Sequence, residues 1–302
     1  MGEFIELFLP EVLEYISKEQ LNFLSEEVFT DITAEDKRQK NDLLAQGKWL
    51  GKNSNFLIHL AQVRIRDLIN FNRRESQTKS SKNYRQLFPE RSSLGHPVIL
   101  IHGFYSDSYA LTKVSDYLKN LGKSVYSIDL TPNDGSIPIE DYAEQLSQFI
   151  NSNFSPQQSL DLVGFSMGGL VCRYYLQRLG GLKRAENLVT VASPHQGTLT
   201  AHVTWYDACK QMRPESDFLQ DLNSDEYTLN QINCTAIWNP LDFVILPAES
   251  SKLLAGNSVM IPCVHHSSVT EDERVFEAIA KALQPPLNRI NLDEQQVWPL
   301  NN

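Results

Sequence analysis

Five residues constrain this chain more than any others: Gly164-Phe165-Ser166-Met167-Gly168. They stand between the strand-like Leu160-Asp161-Leu162-Val163 and the helix-like Leu170-Val171-Cys172-Arg173-Tyr174-Tyr175-Leu176. A strand that turns at once into a helix must reverse sharply, and the residue at the apex is driven into strained backbone geometry. A side chain at either flank would strike the strand or the helix, which is why glycine stands there. The turn lifts the Ser166 hydroxyl above the sheet edge and points the backbone N–H of Met167 into the same space. The pattern G-x-S-x-G also arises by chance, and a Ser/Gly turn capping a helix is the alternative. The rest of the chain must therefore supply the partners that a nucleophilic serine needs.

From Gly95 onward, strands and helices alternate with short connections. Pro97-Val98-Ile99-Leu100-Ile101-His102 is a continuous apolar run, as expected of a strand buried on both faces. A helix over about Tyr109–Leu121 follows, then a strand at Ser124–Asp129, a helix at Ile139–Asn153, and the strand and helix around Ser166. Further strands are expected at Leu188–Ala192, Ile232–Trp238 and Ser258–Val264, and a closing helix at Glu273–Leu283. Repeated βα units predict a mostly parallel sheet flanked by helices, with the active site beyond the carboxyl ends of the strands. Residues 193–231 break the rhythm. They are rich in Asp, Ser and Thr without a clean strand, which predicts a lid-like or cap-like insert, partly helical around Trp205, Tyr206, Phe218 and Leu219.

A length of 302 residues allows one large domain, or one of about 200 residues with an appendage. The net charge of −10 argues against nucleic acid as a partner and against simple electrostatic docking on anionic lipid. That charge is uneven: residues 1–46 carry 11 acids against 4 bases, and residues 47–91 carry 3 acids against 10 bases. Such blocks mark a solvated arm or a separate appendage. Cys172, Cys209, Cys234 and Cys263 form no C-x-x-C pair, so neither a zinc site nor a redox dithiol is expected, and no cofactor or metal is called for. Cys172 on the helix after Ser166 and Cys263 in an apolar strand are expected to be buried. Acids in Met1–Glu6 argue against a signal peptide, and no apolar run approaches membrane-spanning length, so a cytoplasmic enzyme is expected.

A serine hydroxyl at neutral pH needs a base to take its proton, an orienter for that base, and donors for the oxyanion that forms on attack. Downstream of Ser166, the candidate acid is Asp242, just past a strand at the carboxyl edge of the sheet. A turn aspartate after Pro240 is the bland alternative. Asp217, Asp221 and Asp225 are rivals within the irregular insert. His265 and His266 compete as the base, with His266 favoured and His265 in reserve. His195 is expected to make structural hydrogen bonds in its loop, and His102 to pack beneath the site. Gly103 lets the chain turn so that the N–H of Phe104 joins that of Met167 as a second oxyanion donor.

Residues 95–284 resemble the small bacterial lipase/esterase branch of the α/β-hydrolases. The resemblance rests on Pro97–Phe104, Leu162–Gly169, Ala192–Thr198 and Asp242–Pro247. It implies the α/β-hydrolase fold and carboxylic-ester hydrolysis through an acyl-enzyme, by Ser166, His266 and Asp242. That family's histidine is commonly followed at +6 by an acid and at +9 by Val, which His266 satisfies with Asp272 and Val275. The family usually has Gly where His265 stands. Thioester hydrolysis and acyl transfer use the same machinery, and a catalytically inactive binding protein on this fold is the alternative of a different class. The expected partner is a small-molecule or lipid ester, with transient contact at a membrane surface and no obligate protein partner.

The hydrolase domain is expected over residues 95–286, with a tail at 287–302. Residues 1–62 read as an appendage. Phe4–Val12, Phe23–Asp31 and Phe56–His59 resemble the amino-terminal part of Rpn-type transposase-associated nucleases. That family's metal-binding Asp matches Asp42, but Ala61 and Val63 stand where its other site residues are required, which implies a non-catalytic remnant. An ordinary helical extension is the alternative. Residues 63–94 are polar and basic, as in a linker, although Phe56–Phe71 with Arg64, Arg66, Arg73 and Arg74 also fits a membrane-surface helix.

Overall fold

Val98, Ile99, Leu100 and Ile101 are all buried, and alternate members belong to two different cores. Side chains of a strand point to opposite faces in turn, so a run of four apolar residues requires cover on both sides. The computed structural model describes residues 95–263 and 265–284. The expectations for residues 1–62, 63–94 and 287–302 lie outside the described residues.

The sheet is built from β1 (Val98–Ile101), β2 (Val125–Ile128), β3 (Leu160–Phe165), β4 (Ala185–Val191), β5 (Asn233–Trp238) and β6 (Asn257–Met260). These six strands lie in the order β2-β1-β3-β4-β5-β6, and every neighbouring pair is parallel. The helices are α1 (Thr112–Asn120), α2 (Ile139–Asn153), α3 (Met167–Arg178), α4 (Asp207–Gln211), α5 (Asp217–Ser224) and α6 (Glu273–Ala282). Ile99, Ile101 and Leu162 pack with Tyr142, Leu146 and Ile150 of α2 and with Leu170 and Val171 of α3. On the other face, Val98, Leu100 and Val163 pack with Val114 and Leu118 of α1 and with Val275, Phe276 and Ile279 of α6. This is the parallel sheet flanked by helices that the βα rhythm predicts.

Two strands end differently from expectation. β4 starts at Ala185 and ends at Val191, because Ala192 adopts a left-handed φ of 49° that no strand can continue through. The last strand ends at Met260 rather than running to Val264, and Cys263 lies in a loop instead of a strand. Pro262 has no N–H to give a ladder, and the Cys263 N–H goes to the Asn239 side chain. α6 begins at Glu273, as expected, after its cap Asp272, whose carboxylate accepts from the Arg274 N–H at 2.9 Å.

The segment 193–231 holds no strand; it consists of α4, α5 and 3₁₀ turns at Leu199–Val203 and Glu226–Gln231. Its second half is fastened to α3. Arg173, wholly buried, donates to Gln177, to Asn223 Oδ1 and to the Leu222 carbonyl, and lies 3.9 Å from Glu226. Arg178 pairs with both Asp221 and Asp225. Burial lowers the Arg173 guanidinium to about 10, with Glu226 pulling it back up. Removing one partner of a buried ion pair strands the other in low dielectric. Arg173→Met is therefore expected to lower unfolding free energy by about 3–5 kcal/mol. Arg173→Met combined with Glu226→Gln should lose less, because the stranded charge is gone while the acceptor oxygen for Leu254 and Ala255 stays. Equal thermal midpoints for the two variants would show that the pair carries no such coupling.

Candidate active site

Ser166 sits at the junction of β3 and α3 with φ 51° and ψ −124°, a backbone conformation that side-chain-bearing residues rarely adopt. The strain is held by close packing on both sides. A Cβ on Gly164 would lie 2.6 Å from the backbone of Gly168 and Gly169, and one on Gly168 would strike the Ile101 and His102 carbonyls. The serine N–H donates to the Val191 carbonyl at 2.8 Å, which ties the apex to β4. Met167 is the first residue of α3, so its N–H has no partner within the helix.

Beside it, Gly103 approaches so closely that a Cβ there would lie 2.9 Å from the Ser166 Cβ. Phe104 and Tyr105 follow, and Tyr105 is left-handed at φ 52°. Its N–H donates to the Asn133 carbonyl at 2.7 Å, and Asn133 Nδ2 donates to the Ser106 carbonyl at 2.9 Å. The Phe104 ring rests where a Cβ on Gly135 would be. The loop after β2 thus braces the loop that carries the Phe104 N–H.

On the other side of Ser166, His266 Nδ1 lies 2.6 Å from Asp242 Oδ2, both residues buried. The second oxygen of Asp242 accepts from the N–H groups of Val244 at 2.8 Å and Ile245 at 2.9 Å. A carboxylate so held fixes the imidazole through Nδ1, which leaves Nε2 as the ring nitrogen available for proton transfer. Ser166 and His266 line one largely apolar pocket of about 120 Å³ together with Gly103, Phe104, Cys209 and Met212.

The structure separates the remaining candidates. His265 stands at the start of the turn, its N–H donating to Ser268 Oγ at 3.2 Å, while the carboxylate contact of Asp242 Oδ2 is with His266. Asp221 and Asp225 pair with Arg178, and Asp217 opens α5. Asp272, six residues after His266, is the α6 cap and a partner of Arg274, whose hydrogen bond holds its carboxyl down at about 2. His102 accepts from the Leu130 N–H at 2.9 Å and meets the Gly103 carbonyl at 2.9 Å, beneath the site. His195 meets Thr190 Oγ1 at 2.9 Å. Two residues escaped sequence reasoning: Asn133 and Asn239. Their signal was faint, an Asn beside Pro at the carboxyl end of a strand. All four cysteines are buried and free. Among the described residues no helix is long and apolar enough to cross a membrane.

The profile of the palmitoyl protein thioesterase family matches residues 97–239, a span that holds Ser166 and stops short of Asp242 and His266. Lysosomal thioesterase PPT2 from Homo sapiens is 28% identical over 125 residues, covering 39% of this chain and 40% of that protein. The match therefore spans about two fifths of the relative's length. Mature lipase BlEst2 from Bacillus licheniformis superposes with a TM-score of 0.54 at 15% identity, over 65% of this chain and 96% of that one. Lipase B from Aspergillus fumigatus gives 0.56 at 16% identity, over 66% and 54%. The chain has the α/β-hydrolase fold. Within that fold the strained serine, the Gly103–Tyr105 loop and the histidine–carboxylate pair all stand at the carboxyl edge of the sheet, where such sheets bind ligands.

Burial holds His102 below its ordinary 6.5, and burial together with Arg173 holds His195 well below it. As pH falls through 6.5 the unfolded chain binds protons at these two positions more readily than the folded chain, so stability is lost as pH falls. His195→Gln, which removes one such group, is expected to flatten the fall of thermal midpoint between about pH 6.5 and 5. An unchanged slope would mean that His195 takes up its proton in the folded state.

Proposed function

We propose that this chain is a serine acyl hydrolase that cleaves carboxylic esters or thioesters through an acyl-enzyme. The observation that carries the reading is the 2.6 Å bond between His266 and Asp242, in a chain where His266 shares its pocket with the strained Ser166. Ser166 Oγ attacks the acyl carbon as His266 Nε2 takes its proton, and Asp242 stabilises the imidazolium that results. The oxyanion is received by the N–H groups of Phe104 and Met167. Collapse of the tetrahedral intermediate expels the alcohol or thiol, which takes the proton from His266. Water activated by the same histidine then releases the acid and restores Ser166.

The apolar pocket supports an acyl group as the part that is held, while Thr198 and Thr200 offer a polar side. The family profile over residues 97–239 favours a thioester-linked acyl group over a plain ester. Trp205, 68% exposed, and Tyr206 stand next to Thr204 of the pocket rim, which supports a lipid-bearing substrate and brief contact with a membrane surface. No step requires a metal or cofactor.

Ser166→Ala is expected to abolish turnover of p-nitrophenyl esters and acyl thioesters at an unchanged thermal midpoint; near wild-type activity in that variant would remove the reading. His266→Ala should reduce the rate by far more than His265→Ala, and the reverse order would exchange their roles. Comparing acyl-thioester with p-nitrophenyl ester series from short to long chains then identifies the substrate class from kcat/KM. Chelation with EDTA should leave the rate unchanged.

A further inference from the structure

Two loops must meet for Asp242 to reach His266: one leaves β5 and the other leaves β6. One side chain joins them. Asn239, the first residue past β5 and 1% exposed, accepts through its Oδ1 from two backbone N–H groups. The first is that of Leu241 at 3.0 Å, adjacent to Asp242, and the second is that of Cys263 at 2.9 Å, three residues before His266. Its backbone carbonyl also accepts from the Asp242 N–H at 3.1 Å.

We propose that Asn239 is a positioning residue for the catalytic pair, setting the separation of Asp242 and His266 by bridging the two loops that carry them. This inference rests on the Ser166–His266–Asp242 reading. Its residue type fits the role. Asn239 Nδ2 is buried without a hydrogen-bond partner among the described residues. Leaving such a group unpaired costs about 1–3 kcal/mol, so an amide there is a poor choice for stability alone. Aspartate would make both acceptor bonds without the orphan N–H, but would bury a second negative charge beside the loop of Asp242. A neutral acceptor of this shape holds the loops together and leaves Asp242 as the carboxylate that the imidazole senses. The geometry is demanding, because Asp242 is anchored at its other oxygen by Val244 and Ile245 and cannot follow a displaced imidazole.

The experiment compares Asn239→Ala and Asn239→Asp with wild type and Ser166→Ala, each shown folded by its thermal midpoint. Asn239→Ser, whose hydroxyl is too short to bridge both loops, replaces Asn239→Ala if that variant does not fold. Steady-state kinetics on a p-nitrophenyl ester are read beside the proton NMR resonance of the His266 Nδ1–H. Loss of the bridge is expected to lower kcat by about 10²-fold with KM unchanged, as for other displacements of order 1 Å. The resonance should move or vanish in that variant. Asn239→Asp, which keeps the acceptor, should retain the resonance and lose less. A wild-type kcat in the folded bridge variant overturns the proposal. So does a loss of kcat with the resonance unmoved, or an Asn239→Asp variant no better than Asn239→Ala. Residual wild-type activity in Ser166→Ala would instead take down the triad reading itself, which these outcomes keep separate.

Discussion

The close approach of α3 to β1 and β3 is the constraint on which the rest of this molecule depends. Gly164, Gly168 and Gly169 have no room for a Cβ against backbone or the Ser193 side chain, so the helix and strands pack at a distance that other residues would forbid. That contact forces Ser166 into its left-handed conformation and is in turn maintained by the two cores on either side of the sheet. Strain at one residue costs on the order of 1–3 kcal/mol, which a sheet buried on both faces over-determines. The hydroxyl is consequently presented by packing rather than by a hydrogen bond of its own.

Around this fixed point the loops differ in how they are held. The loop of Phe104 is braced by Asn133 and Gly135, the acid loop by its own N–H groups on Asp242, and the histidine loop by Asn239. Three histidines are buried among the described residues, and their surroundings separate their roles. His102 lies between two backbone groups and His195 meets a threonine close to the Arg173 charge, so both are held neutral. Of these three, His266 is the one whose ring nitrogen bonds a carboxylate. A base that must become an imidazolium in the transition state needs that charge nearby, and a structural histidine is better without it.

Most of the fold could be read from the chain because apolar runs such as Val98–Ile101 and the amphipathic Ile139–Asn153 have one physical solution each. The elbow was legible for the same reason, since glycine spacing around Ser166 encodes a steric requirement. The proposal of His266 over its neighbour rests on the downstream spacing, and the structure shows what that spacing serves: Asp272 caps α6 and Val275 enters the core. The end of the last strand was misjudged because Ile261, Pro262 and Cys263 look apolar, while their backbone bonds go to Trp238, Arg274 and Asn239. Asn133 and Asn239 left only a faint trace because their importance lies in contacts across 27 and 24 residues of sequence.

The same reasoning locates where substrate choice must be encoded. Ester and thioester cleavage share the serine, the base, the acid and the oxyanion donors, so none of these can discriminate between them. The difference is in the leaving group: a thiol with a pKa of about 8.5 departs as an anion far more readily than an alcohol. Under the proposed mechanism, thioester cleavage would therefore lean less on proton donation by His266 in the expulsion step and as much as ever on proton removal from Ser166. Discrimination is left to the walls, and these come from two sources. Ala201, Cys209 and Met212 belong to the insert that α3 and the loop after β2 hold in place, whereas Val244 and Ile245 follow directly from the anchored acid. Changes in the insert can reshape the acyl side without moving Asp242. Changes at Val244 or Ile245 are more constrained, because their backbone N–H groups must stay in place to hold the carboxylate.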